Sequence, residues 1–451
     1  MRRAVPALLL SLAACQSPTE LSLDITAGHE SDAFTAEPAV TRVDVAVTSL
    51  DGSIDATVSA APGGTFDLGE ISADQKIMVE VTGLDAAGNT VMRGRSLNAL
   101  PIGGISGAIP VFVQRTGVWA RPPEGIYQAH VGGVATTIGE RYVVITGGTS
   151  ATEHTEYDDP TFVHAYDFLS FSGSGSLPYP RVPGTLVSLS DAVLVIDAAG
   201  ATWVDLVGSN TYDPPLPTGL ASFGDVAGGT PVLASDGRTF VVGGTRAGEP
   251  TRGVLQVASD GTLTALELVQ ARAGAAAAWI EGVGLVVAGG SAEGPGVEVL
   301  ATAGTAFAAR NFPPDPVIGA AAVTDGGAGF HLVGGALGGL PAPTRYVNPS
   351  CGNPCAAQEI AAAAIPAALT GSQGYLLQGT RLLVVGNDLD GDRLTRTFLV
   401  DVAGVAEELL LKEPRRGAVP MPTPLGTLAI LGGELVDGTA AHTVESYWPS
   451  K

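Results

Sequence analysis

Short hydrophobic runs that end on a pair of glycines recur along most of this chain. In the clearest copy, LVVAGG at residues 285–290, four apolar residues precede Gly289 and Gly290. Apolar runs of this length, bounded by glycine, are typical of short buried strands. Further copies end at the glycine pairs 147–148, 243–244, 334–335 and 432–433, with a weaker copy at Gly386. The pattern predicts a repeated β unit.

The copies are almost evenly spaced. The glycines at 243, 289, 334, 386 and 432 are separated by 46, 45, 52 and 46 residues, and 96 residues separate 147 from 243. The last interval equals two periods, and an apolar run at 193–198 falls midway through it without its glycines. Loop glycines scattered at random would not keep this spacing, although 61 of the 451 residues are glycine. We therefore predict seven copies.

Each period contains four short apolar runs. In the third copy these are residues 231–234, 239–242, 254–257 and 263–268, and Asp236-Gly237 and Asp260-Gly261 supply turns. Four strands in about 46 residues are the signature of a β-propeller blade. The composition agrees, because many Gly and Pro residues with only 15% charged residues favour an all-β fold of short strands and tight turns.

The glycine pairs, together with the joints at 181–184 and 272–274, resemble kelch repeats, the type of propeller found in galactose oxidase. The resemblance covers about 330 residues. The chain departs from kelch blades because the aromatic pair that usually follows the glycines is mostly absent, and Tyr166 and Trp203 are only partial echoes of it. The resemblance implies a divergent, seven-bladed kelch-like propeller over residues 116–451.

The last copy stops after its third strand, near residues 443–448. Residues 117–123 resemble the end of a fourth strand, so we predict that residues 116–122 complete the final blade and close the ring. Residues 356–369 are rich in alanine, which favours a helix on propensity. The repeat register instead predicts the fourth strand and joint of the fifth blade, and we favour the register.

A smaller β module precedes the propeller. Val43, Val45 and Val47 alternate with polar or small residues, and residues 77–81 repeat this period of two. About seven such runs between residues 21 and 113 resemble an immunoglobulin-like or fibronectin-III-like sandwich, although the Cys and Trp core markers of immunoglobulin domains are missing. We predict this domain over residues 31–115, after a polar tether at 16–30.

The N-terminus has the pattern of an export signal, with Arg2 and Arg3 before an apolar stretch at 4–12. The stretch is too short to span a bilayer. LAAC at 12–15 resembles the bacterial lipobox, which implies cleavage after residue 14 and lipid attachment to Cys15. Gln16 follows the cysteine, and this implies the outer membrane or cell surface. A plain secretory signal, in which Cys15 has no role, is the alternative.

Charge and cysteine content narrow the partners. A formal net charge of −22 disfavours nucleic-acid binding and is most simply a solvated acidic surface. Cys351 and Cys355 are four residues apart in a chain predicted to be exported. This favours a local disulfide over a metal site, because no further Cys or nearby His completes a set of ligands. We predict a monomer that touches the membrane only through its lipid.

The candidate binding face consists of the loops that follow the glycine pairs, because second-to-third-strand loops emerge on one face of a propeller. These loops carry a set of mostly acidic residues: Glu153, His154, Glu156, Tyr157, Asp158, Asp159, Asp388, Asp390, Asp392, Glu434 and Asp437. Solvated loops without a ligand are the alternative. The alternating Asp residues at 388–392 are typical of calcium loops, but no bidentate Glu follows, so a hairpin turn is favoured.

No catalytic motif is present. The six histidines are scattered singly, and the sequence has no nucleophile elbow, zinc-protease helix, phosphate loop or dinucleotide-binding glycine set. We therefore predict no catalytic residue, no metal and no cofactor. The favoured function is a binding or scaffolding module for a protein or glycan in the cell envelope. The alternative is a secreted-type enzyme with an axial site on the propeller.

Overall fold

The computed structural model describes residues 19–20, 22–68, 70–71, 75–101, 107–154, 158–179, 181–190, 192–205, 210–352, 354–401 and 405–450. The predicted signal segment with Cys15 lies outside them. The chain divides into two compact units, of which one comprises the residues up to Thr26 with Phe34–Val113 and the other Ala27–Ala33 with Gln114–Lys451. Strands dominate both units. Among the described residues, two single-turn 3₁₀ helices occur at Phe223–Asp225 and Ala361–Ala363.

The first unit is built on a seven-stranded sheet. Its order is Leu23–Thr26, Ile109–Arg115, Thr90–Arg95, Lys76–Leu84, Arg42–Ser49 and Asp55–Ala60, with Leu100–Pro101 beside Lys76–Leu84 and a separate pair of Thr19–Glu20 with Glu70–Ile71. Valines of the two central strands are fully buried, among them Val45 and Val81. Leu23–Thr26 lies within the predicted tether and pairs in parallel with Ile109–Arg115, because Leu23 and Ile25 give this stretch its own strand alternation. The immunoglobulin-like sandwich stays a prediction.

The second unit is a seven-bladed β-propeller, as predicted. Blade 1 comprises Val134–Ile138, Tyr142–Thr146, Phe162–Asp167 and Ser172–Pro178, and blade 2 comprises Thr185–Leu189, Ala192–Ile196, Ala201–Asp205 and Asn210–Tyr212. Blade 3 comprises Thr230–Leu233, Thr239–Val242, Glu249–Val257 and Leu263–Arg272, with Thr245–Arg246 beside its third strand. Blade 4 comprises Ala276–Ile280, Gly284–Ala288, Val297–Ala301 and Phe307–Arg310. Blade 5 comprises Ile318–Thr324, Phe330–Leu337, Arg345–Val347 and Gln358–Glu359, with Leu340–Pro341 beside its second strand. Blade 6 comprises Leu369–Leu376, Arg381–Asp388, Thr395–Asp401 and Ala406–Leu409.

Blade 7 takes strands from both ends of the propeller. Val419–Pro422, Leu428–Leu431 and Glu445–Tyr447 form its first three strands, and Trp119–Ala120 forms the fourth. Trp119 pairs with Tyr447 and Ala120 with Ser446 in antiparallel register. The predicted closure of the ring is therefore confirmed. Arg415–Arg416 and Glu434–Leu435 make a further short pair beside this blade.

The glycine pairs end the second strands for a steric reason. Both Gly289 and Gly290 have positive φ, 76° and 72°. A Cβ on Gly289 would lie 2.7 Å from the carbonyl oxygen of Val317, and a Cβ on Gly290 would lie 2.7 Å from that of Ala273. Val317 and Ala273 belong to the joints on the two sides of blade 4. The pair therefore threads between neighbouring blades, where only glycine fits.

The hydrophobic core lies between neighbouring blades. For example, Val187, Leu194 and Trp203 of blade 2 pack with Val241 and Leu255 of blade 3. Similar clusters join the other neighbours, with Phe240 and Val287 between blades 3 and 4. The eroded second copy contributes a strand at Ala192–Ile196, and the alanine-rich segment gives the short strand Gln358–Glu359 and a 3₁₀ turn. The register-based interpretation of both segments is confirmed.

Candidate functional site

The antiparallel order of each blade places two kinds of connection at one end of its sheet. Strand 2 runs toward this end, strand 3 leaves from it, and strand 4 returns to it. The loops between strands 2 and 3 and the joints between consecutive blades therefore share one face, which we call the loop face. The opposite end, with the turns between strands 1 and 2 and between strands 3 and 4, is the hairpin face.

Two of the predicted acidic residues in the blade 1 loop serve the fold. Asp158 is buried, and its carboxylate accepts hydrogen bonds from the backbone N–H groups of Ala129 at 3.1 Å and Ala151 at 2.8 Å. Asp159 accepts from the backbone N–H and hydroxyl of Thr161 at 2.9 and 2.8 Å. These bonds lower the pKa of Asp159. Both carboxylates thus hold the loop in shape.

The loops of blades 1 and 7 meet on the loop face. The backbone N–H of Glu153 donates to Gly438 O at 2.8 Å, and Glu153 forms an isolated bridge with Thr439. Asp437 closes its own turn by accepting from the Thr439 N–H and hydroxyl at 3.1 and 2.6 Å, which lowers its pKa. Beside this contact, His154 is exposed. Glu156 and Tyr157 of the predicted set lie outside the described residues.

Glu434 links three segments of the loop face. Its carboxylate accepts from the Thr152 N–H at 2.5 Å and hydroxyl at 2.6 Å and forms an ion pair with Arg416 at 2.9 Å. Burial opposes ionisation, but these contacts dominate and lower the pKa of Glu434. Arg416 also donates from Nε to the carbonyl oxygen of Asp392 at 2.7 Å. The predicted loops of blades 1, 6 and 7 are thus joined at one corner.

The blade 6 loop forms a hairpin turn. Asp388 accepts from the Asp390 N–H at 3.0 Å and pairs with Arg396 Nη1 at 2.9 Å. Arg393 closes the turn in the left-handed region, with φ 54°. Asp390 and Asp392 are exposed to solvent. In the described part of the chain, no group of three or more His, Cys, Asp or Glu residues could hold a metal ion.

The cysteines lie in a different loop. Cys351 and Cys355 are joined in a disulfide between strands 3 and 4 of blade 5, and Cys355 packs in the core between blades 4 and 5. The bond therefore pins the outer edge of that blade and stands apart from the acidic loops. No helix within the described ranges is long and apolar enough to cross a membrane.

A repeated polar contact, which the sequence analysis missed, holds the blade joints. Arg272 and Arg415 each lie four residues before the first strand of their blade. Each pairs with a glutamate of the third strand: Arg272 with Glu298 at 3.0 Å and Arg415 with Glu445 at 2.8 Å. All four side chains are fully buried. We call this contact the joint clasp.

The joint clasp varies from blade to blade. In blade 3, the strand register places Val226 where the clasp arginine would be and Leu255 where the glutamate would be, and both residues pack in the core. In blade 2, Arg181 pairs at 2.5 Å with Asp197, which stands where other blades have the first glycine of the pair. Arginines in the joints were the only sequence signal, and they gave no indication of their partners because those partners are 16 to 30 residues away.

Blade 1 has two histidines at the clasp positions. His130 lies four residues before the first strand, and His164 is paired in register with Ile145, two residues before the glycine pair. His130 Nδ1 lies 3.1 Å from Gly147 O, which assigns the hydrogen to this nitrogen. His130 Nε2 then accepts from His164 Nδ1 at 2.9 Å. Burial lowers the pKa of both rings, that of His164 to about 4.

The innermost strands line the axis without charged residues. Across all seven first strands, the described residues include no Asp, Glu, His, Lys or Arg, and Tyr375 is their single titratable side chain. Trp279 of blade 4 is the other large polar aromatic there, and its Nε1 donates to Ser235 Oγ at 3.1 Å. Acid–base groups for an axial site would have to come from the loops.

An exposed apolar hairpin lies on the loop face in blade 5. Strands Phe330–Leu337 and Leu340–Pro341 meet at Gly338 and Gly339, both with positive φ. Leu337 is 41% exposed and Leu340 69%. Ile318, at the start of the same blade, and Leu389, in the blade 6 loop, are exposed at the same end. These four side chains, which we call the apolar patch, all lie at the loop-face end of blades 5 and 6.

Solved structures that are similar to the propeller share little sequence with it. No family model and no curated protein matches the chain. The propeller is similar to a streptogramin B lyase structure, with 10% identity over 73% of this chain and 96% of that chain and a TM-score of 0.46. It is also similar to the Pan2 WD40 domain of Neurospora crassa (10%, 74%, 96% and 0.45) and to BBS1N in complex with ARL6DN (12%, 74%, 98% and 0.45).

Proposed function

We propose that this protein is a divergent kelch-like lipoprotein of the outer membrane or cell surface, whose propeller binds a protein partner through the loop face. The N-terminal unit, proposed to be an immunoglobulin-like sandwich, acts as a stalk between the lipid on Cys15 and the propeller. The signal and lipobox residues support the anchor. The partner is proposed to be a protein rather than a glycan because the exposed patch is aliphatic.

The observation that carries this proposal is the exposed hairpin of Leu337 and Leu340. Contiguous apolar side chains on a soluble surface mark interaction sites, and buried aliphatic anchors supply much of the affinity of such contacts. Asp390 and Asp392 are exposed in the neighbouring loop. An apolar pocket with a basic rim on the partner would match this surface in shape and charge.

The test is affinity capture from envelope extract with three forms of the full chain. Burying a leucine contributes about 1.5–3 kcal/mol, so Leu340→Ser should weaken capture roughly 10- to 100-fold. Leu233→Ser is the matched control, because Leu233 is 71% exposed but lies on the hairpin face. Equal capture by the parent and both variants would remove the loop face from the proposal.

The anchor has its own test. In the parent, we expect the protein in the membrane fraction and a mass increase from acyl chains on the N-terminal cysteine. Cys15→Ser should release the protein into the soluble fraction without changing its thermal midpoint. A Cys15→Ser variant that stays in the membrane fraction would contradict lipid attachment, and the loop-face experiment would still stand.

A further inference from the structure

The segment that closes the ring also carries His130 of the buried histidine pair. Residues 116–133 run from the fourth strand of blade 7 to the first strand of blade 1. Next to His130, Ala129 O accepts from the Gly433 N–H at 2.6 Å, and the Gly132 N–H donates to Gly417 O at 2.6 Å. These two bonds join blade 1 to blade 7, and we call them the seam. His130 sits between them, so a displacement of this residue disturbs both.

His130 has little freedom to adapt in place. Its φ is 47°, a region that non-glycine residues rarely adopt, and its side chain is 1% exposed. The ring is held at both ends, by Gly147 O at 3.1 Å and by His164 at 2.9 Å. The equivalent joints of blades 4 and 7 have Arg–Glu clasps. At the joint of blade 1, two titratable imidazoles take the places of a fixed cation and anion.

The proton balance of the pair follows from its geometry. In the neutral pair, one hydrogen lies between His130 Nε2 and His164 Nδ1. Once both rings are protonated, each of these facing nitrogens carries a hydrogen, so the 2.9 Å bond is lost and two cations are in contact. A buried site can hold two like charges only if anions compensate them.

The charged groups around the pair compensate for it only in part. From the blade 1 loop, Asp158 and Asp159 favour the charged form of His130, but burial outweighs them and the pKa of His130 is still lowered. From the blade 7 joint, Arg416 is cationic and is paired with Glu434. Strands 1 and 2 of blade 1 contribute no charged side chain within the described residues. The doubly protonated pair therefore has to move apart or reach water.

We infer that the His130–His164 pair is a proton-sensitive clasp, which holds the seam between blades 1 and 7 closed at neutral pH and loosens it in acid. Folded-state pKa values lower than the unfolded value mean that the open seam binds more protons than the closed seam. The closed seam is favoured above about pH 6.5 and loses that advantage as pH falls toward the His164 value of about 4. The blade 1 and blade 7 loops, which form part of the loop face, would move with it.

The test is hydrogen exchange of the full chain between pH 7.5 and 4.5, corrected for the intrinsic rate. Over residues 126–134 we expect opening to increase roughly tenfold per pH unit for each proton taken up. The joint at 270–277, with its Arg272–Glu298 clasp, is the internal control and should stay flat. His164→Gln keeps an N–H donor for His130 but cannot titrate in this range, so it should reduce the increase to that caused by the one remaining histidine.

Two further variants separate the seam from general acid sensitivity. His130→Arg with His164→Glu installs the clasp of blades 4 and 7 and should make the seam independent of pH. His331→Phe removes another buried histidine and should leave the seam response unchanged. The inference is overturned if residues 126–134 follow the same pH profile as 270–277, or if His164→Gln keeps the parental response. These two outcomes can be measured with the parent and the His164→Gln variant alone, so the test remains possible if the double variant does not fold.

Discussion

Replacing Arg272 by methionine should destabilise the propeller strongly, because the change leaves a buried carboxylate without its cation. Arg272 and Glu298 are both 0% exposed. The guanidinium lies 3.0 Å from the Glu298 carboxylate and also donates to the carbonyl oxygens of Gly289 and Pro295. Methionine matches the length of the arginine stem but supplies none of these hydrogens.

The magnitude follows from the contacts that remain. Breaking a buried ion pair by removing one partner costs about 3–5 kcal/mol. Glu298 still accepts hydrogen bonds from the backbone N–H groups of Val269 at 2.6 Å and Gln270 at 3.0 Å. The cost of leaving its carboxylate without a cation should therefore lie near the lower end of this range, at about 3 kcal/mol. The two carbonyl groups that lose a donor add about 1 kcal/mol. We expect a total loss of about 4 kcal/mol.

The assay is urea unfolding followed by fluorescence and circular dichroism, with differences in free energy taken from the midpoints. Arg252→Met is the matched control in blade 3, because Arg252 and Glu267 are 49% and 65% exposed, and surface pairs contribute about 0–1 kcal/mol. The double variant Arg272→Val with Glu298→Leu copies the apolar clasp of blade 3 and should recover about half of the loss.

Two results would contradict this reasoning. If Arg272→Met unfolds within about 1 kcal/mol of the parent, the buried pair is not holding the joint. If the double variant is less stable than Arg272→Met, an apolar clasp does not fit blade 4, and the contact would depend on its neighbours rather than on charge compensation. A change in the slope of the unfolding curve would point to loss of cooperativity instead.

Three further outcomes are expected. Trp119→Ala should lower the free energy of unfolding by about 3–5 kcal/mol, because Trp119 is 1% exposed and packs on Tyr447 at a ring distance of 5.3 Å; a loss below 1 kcal/mol would argue against ring closure by this strand. Deleting residues 443–451 should abolish cooperative thermal unfolding of the whole ring, and a parental melt of the truncated protein would refute this. Burial lowers the pKa of His331, and its Nδ1 has no hydrogen-bond partner, so the protein should lose stability as pH falls below 6.5. His331→Phe should therefore raise the thermal midpoint and make it less dependent on pH between 7 and 5. A lower midpoint of this variant at pH 7 would show instead that the imidazole stabilises the fold.

The repeats made the architecture readable from the sequence. Because every blade needs a turn that passes between two joints, glycine recurs at Gly147, Gly243, Gly289, Gly334 and Gly432, and the spacing counts the blades. The closing strand was readable for a similar reason, since a period that lacks its fourth strand must borrow one from elsewhere. Trp119–Ala120 is that strand.

The roles of the acidic residues were not readable in the same way. Sequence position put Asp158, Asp388 and Glu434 in surface loops, and the fold then used each of them: Asp158 holds a backbone turn, Asp388 pairs with Arg396, and Glu434 joins Thr152 to Arg416. Glu434 and Thr152 are 282 residues apart. No local pattern reports such a contact, because it exists only once the ring has closed.

The sequence by itself determined the all-β class, the seven blades and the strand that closes them, because strand alternation and glycine turns are local properties that repeat along the chain. Only the tertiary structure decided which side chains share a joint. His130 and His164 look like two isolated residues in the sequence, and their 2.9 Å contact arises because the blade register places the third strand of each blade beside its incoming joint. The physical reason is that burial and charge compensation depend on neighbours in space, which the order of residues does not reveal.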